Sequence, residues 1–156
     1  MSRPVQTLVS ASWLEDFLHQ QMPLSQAMQV TVLEVGEDWV LLSAPLAPNL
    51  NHHATVFGGS ACAVAMLAAW SLLYVRLRAA FPALSIVIQR QSMTYRRPMQ
   101  GSFAARARLA DPADWPRFLR LLLRRRRARI SVVATLDYAG SAAGDFSGDF
   151  VAFDGP

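Results

Sequence analysis

Residues 54–75 read ATVFGGSACAVAMLAAWSLLYV, which is 22 consecutive positions without a charged side chain. A helix that is apolar nearly all round is either a membrane span or the buried centre of a soluble domain. This run is rich in Ala, Gly and Ser rather than Leu and Ile, and strand-like segments of ordinary polarity flank it. We therefore predict a loop followed by a buried helix, from Gly59 to about Ala80, and no membrane span.

The segments around this helix alternate between apolar and polar residues in a way that predicts strands. Before them, an amphipathic helix is expected at 10–21, capped by Ser10 or Ser12 and ended by Pro23. The predicted strands occupy residues 28–35, 39–44, 84–97, 102–109, 128–139 and 145–153.

The later strands are interrupted by a predicted short helix at 117–123, with an Asp from the segment 111–116 as its cap. A turn is expected at 140–144. The order of helix, two strands, buried helix and four strands predicts an α+β fold, in which an antiparallel sheet curls around a central helix. The 156 residues fit one main domain, 25–156, preceded by an N-terminal helical segment, 1–24.

The composition excludes a disordered chain, because 53% of the residues are hydrophobic and 17% are charged. All 15 basic residues are arginine, and the formal net charge is +4. From Trp39 to Ala110 there are seven arginines and no acid. Such a field favours an anionic partner, which leaves nucleic acid, anionic lipid and a phosphorylated small molecule as candidates. The lone Cys62 and the absence of a signal-peptide pattern in residues 1–17 predict a cytoplasmic location.

Residues 49–60 read NLNHHATVFGGS and lead directly into the buried helix. This loop resembles the Asn…His-Gly-Gly loop of the hot-dog acyl-CoA thioesterases, with Asn51 six residues before the Phe-Gly-Gly. Residues 95–101 (YRRPMQG) look like the end of the third hot-dog strand, and residues 146–153 (FSGDFVAF) fit the closing strand of that fold. The resemblance covers residues 25–153 and is closest to the thioesterases like the YiiD C-terminal domain.

The resemblance implies a hot-dog fold and a thioesterase that hydrolyses acyl-CoA or acyl-carrier thioesters without a cofactor. Relatives build each site between two subunits, which implies a homodimer or a dimer of dimers. Two positions depart from the family pattern. Phe57 stands where many members have His, and Met66 stands where many have a catalytic Asp or Glu. The base then comes from elsewhere, for which Asp137 or Asp145 is conceivable, or the domain binds acyl-CoA without cleaving it.

The two glycines at the helix start are the predicted oxyanion site. Thioester hydrolysis needs donors for the developing oxyanion, and a helix N-terminus supplies free N–H groups and a favourable dipole. Gly58 and Gly59 let a thioester approach the backbone closely, and the alternative is that they only permit tight packing. Thr55 and Ser60 are predicted to hydrogen-bond the substrate or water, although Ser60 also suits a simple helix start.

Asn51 and His52 are the predicted polar groups beside the thioester. Asn51 would orient water or the carbonyl, and its alternative role is to form a turn. His52 is the strongest local base in a stretch without carboxylates, and imidazole titrates near neutral pH; a loop-structuring role is the alternative. With three histidines and one cysteine in the chain, no metal site is predicted, and Cys62 is assigned to the core.

Phe57 and three arginines are predicted to contact the substrate. Coenzyme A carries phosphate groups, which guanidinium binds bidentately. Arg96 and Arg97 lie in the matched motif, and Arg125 belongs to the run 124–127, whose alternative role is a solvated face. A nucleic-acid or membrane-surface binder is the competing class, but the aromatic residues do not interleave with the basic ones as a stacking platform would, so no nucleic-acid partner is predicted. A hot-dog dehydratase would need an Asp–His pair that is not visible here.

Overall fold

The structure is a computed structural model that describes residues 9–154. Residues 1–8 of the predicted segment 1–24 and residues 155–156 of the predicted domain 25–156 therefore lie outside the described residues. The helices are α1 (Ala11–Gln21), α2 (Pro23–Ala27), α3 (Gly58–Leu77) and α4 (Asp114–Arg125). The strands are β1 (Thr31–Val35), β2 (Val40–Ala44), β3 (Leu84–Tyr95), β4 (Phe103–Leu109), β5 (Arg127–Tyr138) and β6 (Ser141–Asp154).

The six strands form one sheet in the order β1-β2-β4-β5-β6-β3, and every neighbouring pair is antiparallel. Helix α3 lies against this sheet and contacts β2, β3, β4, β5 and β6. Its length and composition would suit a membrane span, yet 61% of its most apolar 18-residue window is buried inside the protein. The predicted α+β architecture with a central helix is confirmed, and the helix starts one residue earlier and ends three residues earlier than expected.

Strand β4 shows how the alternation of the sequence builds the core. Its apolar residues, from Phe103 to Leu109 at every second position, are buried, whereas Arg106 and Arg108 are exposed. Because successive side chains of a strand point to opposite faces, one face of the sheet packs on α3 and the other carries the charge. The predicted apolar and basic faces of this strand are confirmed.

Helix α1 is the predicted N-terminal helix, and Ser10 is its cap. The Ser10 hydroxyl accepts a hydrogen bond from the Trp13 backbone N–H at 3.1 Å. Leu14 and Leu18 are fully buried in the core. The Glu15 carboxylate accepts a hydrogen bond from the backbone N–H of Val32 on β1 at 2.8 Å. Helix α1 therefore covers the outer edge of β1 in addition to burying its own apolar stripe in the core.

The chain between α1 and β1 differs from the prediction. Pro23 does not simply end α1; it opens the short helix α2, because a proline lacks an N–H that the first turn leaves unpaired anyway. The strand predicted from Met28 begins only at Thr31. The reason is that Gln29 has φ 55°, a left-handed conformation that no strand residue adopts.

The turn predicted at 140–144 is confirmed only at Gly140, because residues 141–144 already belong to β6. Ala139 and Gly140 both have positive φ, 49° and 82°, as the two central residues of a type I′ hairpin require. Pairing therefore resumes at once, with Tyr138 opposite Ser141.

The predicted Asp cap of α4 is wrong. Ala113 occupies the cap position of this helix, without a side-chain cap bond, and α4 starts at Asp114. Asp111 acts one step earlier, because its carboxylate accepts the Ala113 backbone N–H at 2.9 Å and shapes the preceding turn.

Strand β3 forms the free edge of the sheet. It is 12 residues long and, among residues 9–154, pairs only with β6 and leaves its other edge open. An unpaired edge of this length is a template for pairing with another strand. The homodimer or dimer of dimers expected from the sequence stays a prediction.

Burial of α1 leads to a first testable prediction. Leu14→Ala should lower the free energy of unfolding by about 2–5 kcal/mol, because it leaves a cavity in the core. Leu24→Ala on α2 is the matched control, since Leu24 is 65% exposed, and should change stability by less than about 0.5 kcal/mol. Urea unfolding followed by circular dichroism measures both free energies of unfolding. A loss for Leu14→Ala as small as that of the control would show that α1 is not part of the core.

Candidate functional site

The loop before α3 is anchored by Asn49, a residue that the sequence did not single out. Asn49 is 1% exposed, and its side-chain amide donates to the backbone oxygens of Met28 at 2.9 Å and Pro45 at 2.8 Å. Its own backbone oxygen accepts the Phe57 N–H at 2.7 Å. Asn49 thus ties the ends of α2 and β2 to the residue that caps α3.

Asn51 organises the same loop from within. Its amide nitrogen donates to the Thr55 hydroxyl at 2.8 Å, and its amide oxygen accepts the backbone N–H groups of His53 at 2.8 Å and Thr55 at 3.1 Å. These bonds hold Ala54 in a left-handed conformation with φ 61°. The structure therefore brings Asn51 and Thr55 together, in the turn-forming role that was the alternative for Asn51.

His52 lies at the tip of this loop. It is exposed, and its ring contacts the His53 ring with 3.9 Å between centroids. Among residues 9–154 no hydrogen bond to the His52 side chain is recorded, in contrast to His19, which bonds the Val30 backbone oxygen at 2.8 Å. The imidazole of His52 thus contacts solvent and the His53 ring.

The N-terminus of α3 has no side-chain cap. The cap residue Phe57 gives its N–H to Asn49, and the first helical bond runs from the Ala61 N–H to the Phe57 oxygen at 3.0 Å. Within the described part of the chain, the backbone N–H groups of Gly58, Gly59 and Ser60 have no recorded acceptor. Three donors and the positive end of the helix dipole are thus available to a ligand.

The two glycines are packed against aromatic rings. A Cβ on Gly58 would lie 3.3 Å from the Tyr95 ring, and the Tyr95 hydroxyl donates to the Gly58 backbone oxygen at 2.7 Å. A Cβ on Gly59 would lie 2.3 Å from the ring of Phe57, so any side chain there would displace that ring. Phe57 itself is 56% exposed, so its ring lies at the surface beside the start of α3.

An apolar cavity of about 480 Å³ opens beside Gly59. It runs between α3, the α1–α2 segment and the sheet. Only two of its lining residues, Ser25 and Cys62, are neither apolar nor glycine. The full lining is Met22, Leu24, Ser25, Met28, Gly59, Cys62, Ala63, Met66, Leu67, Trp70, Ile88 and Phe150.

A second cavity of about 370 Å³ opens beside Gly58 and includes both predicted arginines of the matched motif. The Arg96 guanidinium forms an exposed ion pair with Asp145 through its Nε atom. Arg97 donates instead to the backbone oxygens of Tyr138, Ser141 and Ala142 in the β5–β6 hairpin. Arg96 therefore has donors left for a ligand, whereas Arg97 mainly supports the hairpin.

The structure does not bring Arg125 to this site. Arg125 is the last residue of α4, and β5 begins two residues later at Arg127. Arg127 pairs with Phe153 on β6, and Phe153 pairs on its other side with Ser85, near the start of β3. Gly58 contacts Tyr95 at the other end of β3, which is about 33 Å from Ser85 at the rise of a strand. Within one chain Arg125 lies outside the site.

Cys62 lies on the cavity wall, and its thiol donates to the Gln91 amide oxygen at 3.2 Å. Burial raises the pKa of the Cys62 thiol. The pKa of Tyr95 is raised by burial and then by the proximity of Cys62. Both groups therefore stay protonated at neutral pH, which suits hydrogen-bond donors and argues against a thiolate nucleophile.

No carboxylate lines either cavity within the ranges that the structure describes. Met66, at the position where many hot-dog thioesterases carry an acid, is part of the apolar wall. Nor does the described chain contain a group of three or more His, Cys, Asp or Glu residues that could hold a metal ion. The absence of a metal and of a cofactor stays a prediction.

The model of one protein family, described as "Putative thioesterase (yiiD_Cterm)", matches residues 11–154. The chain belongs to this thioesterase family. The predicted resemblance is thereby confirmed, and the family match includes α1, which the sequence had assigned to a separate segment.

Solved structures of other proteins share the hot-dog fold of this chain. A protein of unknown function from Chlorobaculum tepidum TLS is 26% identical, with a TM-score of 0.86 and coverage of 93% of this chain and 94% of the other. A putative thioesterase from Shewanella oneidensis is 24% identical, with a TM-score of 0.77 and coverage of 92% and 96%. A probable thioesterase from Pseudomonas aeruginosa is 17% identical, with a TM-score of 0.82 and coverage of 96% and 99%.

The cytoplasmic location stays a prediction.

Proposed function

We propose that this thioesterase-family protein hydrolyses acyl-CoA thioesters at the N-terminus of α3. One observation carries the proposal: Gly59 borders an apolar cavity, and the adjacent Gly58 borders a cavity that contains Arg96. An acyl-CoA ester has the same division, with an apolar chain on one side of the thioester and anionic phosphates on the other. The thioester would lie over the free N–H groups between the two cavities.

The helix N-terminus would act on the carbonyl oxygen. As water adds to the carbonyl carbon, negative charge collects on that oxygen, and the N–H groups of Gly58 and Gly59 stabilise it. The tetrahedral species then collapses, the C–S bond breaks, and the thiolate takes up a proton. Because α3 and the Asn49 and Asn51 bonds already hold these donors in place, little reorganisation accompanies the reaction.

His52 is the proposed base that accepts the proton from water and returns it to the leaving sulfur. Its support is that the imidazole is exposed, has no hydrogen-bond partner in the described part of the chain, and lies on the loop that enters α3. Neither a carboxylate nor His52 itself lines the two cavities of the described chain, so His52 is proposed on its place in the loop that leads to Gly58.

The second candidate function is binding of acyl-CoA without cleavage. The specific observation that favours it is Met66, which places an apolar side chain where many relatives have their carboxylate. In that case both cavities would still be occupied, but no group would activate water.

Gly58→Pro tests the oxyanion site directly. Gly58 is the first helical residue, where proline is tolerated, and Phe57 before it has ψ 131°, as a residue before proline prefers. The substitution removes one N–H donor and should lower kcat for acyl-CoA hydrolysis about 10²–10³-fold. Release of free thiol from a panel of acyl-CoA esters measures the rate.

Gly58→Ala is the matched control, because it keeps the N–H and its Cβ meets the Tyr95 ring at 3.3 Å. It should retain most of the wild-type rate. An unchanged rate in folded Gly58→Pro would refute the oxyanion assignment. Tight binding of acyl-CoA by the wild type without thiol release would favour the second candidate function.

His52→Gln, compared with His53→Gln, tests the base. General-base assistance typically contributes about 10²–10⁴-fold, so His52→Gln should lower kcat by that order. His53→Gln keeps the loop and should leave kcat near the wild-type value. Equal effects of the two substitutions would assign both histidines to loop structure.

Arg96→Met tests recognition of the coenzyme A phosphates. A hydrogen bond to a charged group is worth enough to raise KM for acyl-CoA about tenfold or more. The same acyl group on N-acetylcysteamine, which lacks the phosphates, should show no change in KM. Arg120→Met on α4 is the control arginine, and an equal rise of KM for both substrates would contradict phosphate binding by Arg96.

A further inference from the structure

The apolar cavity follows one stripe of α3, and the last residue of that stripe in its lining is the aromatic Trp70. The residues of α3 that line it are Gly59, Cys62, Ala63, Met66, Leu67 and Trp70. At the rise of an α-helix, Gly59 and Trp70 are about 16 Å apart along the axis. Tyr74, one turn beyond Trp70 on the same stripe, does not line the cavity.

Three contacts hold Trp70 in place. Its indole N–H donates to the Ile86 backbone oxygen on β3 at 2.9 Å. Its ring stacks on Tyr74, with 5.0 Å between centroids and 10° between planes, and on Phe17 of α1, with 6.4 Å and 8°. Phe17 and Tyr74 stack on each other at 4.5 Å. Trp70 could leave the end of the cavity only by breaking this stack and its hydrogen bond.

The side walls have a different character from this end wall. Met22, Met28 and Met66 supply flexible, unbranched side chains that adapt to a narrow ligand. Small residues of α3, Ala63 among them, leave space for a ligand along this side of the cavity. Such walls suit a chain of methylene groups better than a polar acyl group, because few polar atoms are present to pair with one.

We propose that Trp70 sets the maximum acyl length, and that the ligands are thioesters of straight-chain acyl groups up to about ten to twelve carbons. This inference rests on the proposed site at Gly58 and Gly59. With C–C bonds of about 1.5 Å, an extended chain advances about 1.3 Å per carbon, so a chain that starts at the glycines meets Trp70 after about twelve carbons. Trp70 is then the specificity-determining residue, and Phe17 and Tyr74 are its positioning residues.

The test measures binding of S-alkyl-CoA thioethers by titration calorimetry, since thioethers cannot be hydrolysed. Each added methylene should raise the wild-type affinity about fourfold until the chain reaches Trp70, and longer chains should gain nothing further. Trp70→Ala should move this limit to longer chains. Met66→Phe, which adds bulk about 6 Å nearer to the glycines, should move it to shorter chains.

Trp39→Ala is the matched tryptophan control, because Trp39 lies in the β1–β2 hairpin beside Gly36 and does not line the cavity. It should leave the length limit unchanged. Trp70→Phe keeps an aromatic ring, so a smaller shift in this variant tests the proposal even if Trp70→Ala does not fold.

The inference and the proposed hydrolysis fail in different ways. An unchanged length limit in folded Trp70→Phe and Met66→Phe would overturn the role of Trp70, whether or not the protein releases thiol. A limit that shifts in both directions as expected would support the role of Trp70 even if no acyl-CoA ester is cleaved.

Discussion

Burial of α3 is the constraint on which the rest of the structure depends. Arg76 is the only charged residue among its twenty, so the helix needs apolar cover on nearly every side. Five strands supply that cover, and the α1–α2 segment adds more beside the cavity. Arg76 itself, in the last turn, stacks over Trp115 at 4.0 Å and pairs with Asp38 at 3.5 Å, while burial lowers its pKa.

A helix held this firmly presents its N-terminus as a rigid group of donors. Ordinary helices satisfy their first N–H groups with a Ser, Thr, Asp or Asn cap, whereas α3 has Phe57 at that position. The side chains of Asn49 and Asn51 hydrogen-bond the loop and the segments beside it, and within residues 9–154 the N–H groups of Gly58 and Gly59 have no acceptor. Donors that are already oriented need no reorganisation when negative charge develops in front of them. The rigidity of α3 is therefore compatible with the proposed role of its N-terminus as an oxyanion site.

Local patterning was sufficient for most of the fold. The uncharged run predicted α3, and strict alternation predicted β4 and the long strands, because both signals come from the burial of one face. The errors in the strand boundaries lie where the backbone conformation sets the start of a strand. Gln29 and Ala139 both have positive φ although neither is glycine, and composition does not reveal this. The resemblance selected Asn51, but the stack of Phe17 on Trp70 joins elements that only the tertiary structure brings together.

The acid-free stretch from Trp39 to Ala110 supplies the loop, α3 and β3, and therefore most of both cavity walls. Its lack of carboxylates favours an anionic ligand, and Asp145, the acid beside the second cavity, is already paired with Arg96. The same lack removes the usual means of activating water. If the protein cleaves thioesters, stabilisation of the oxyanion by backbone donors must therefore carry a larger share of the rate than in relatives with a helix carboxylate. Loss of one donor should then be comparable in effect to loss of His52, the loop side chain proposed to move the proton.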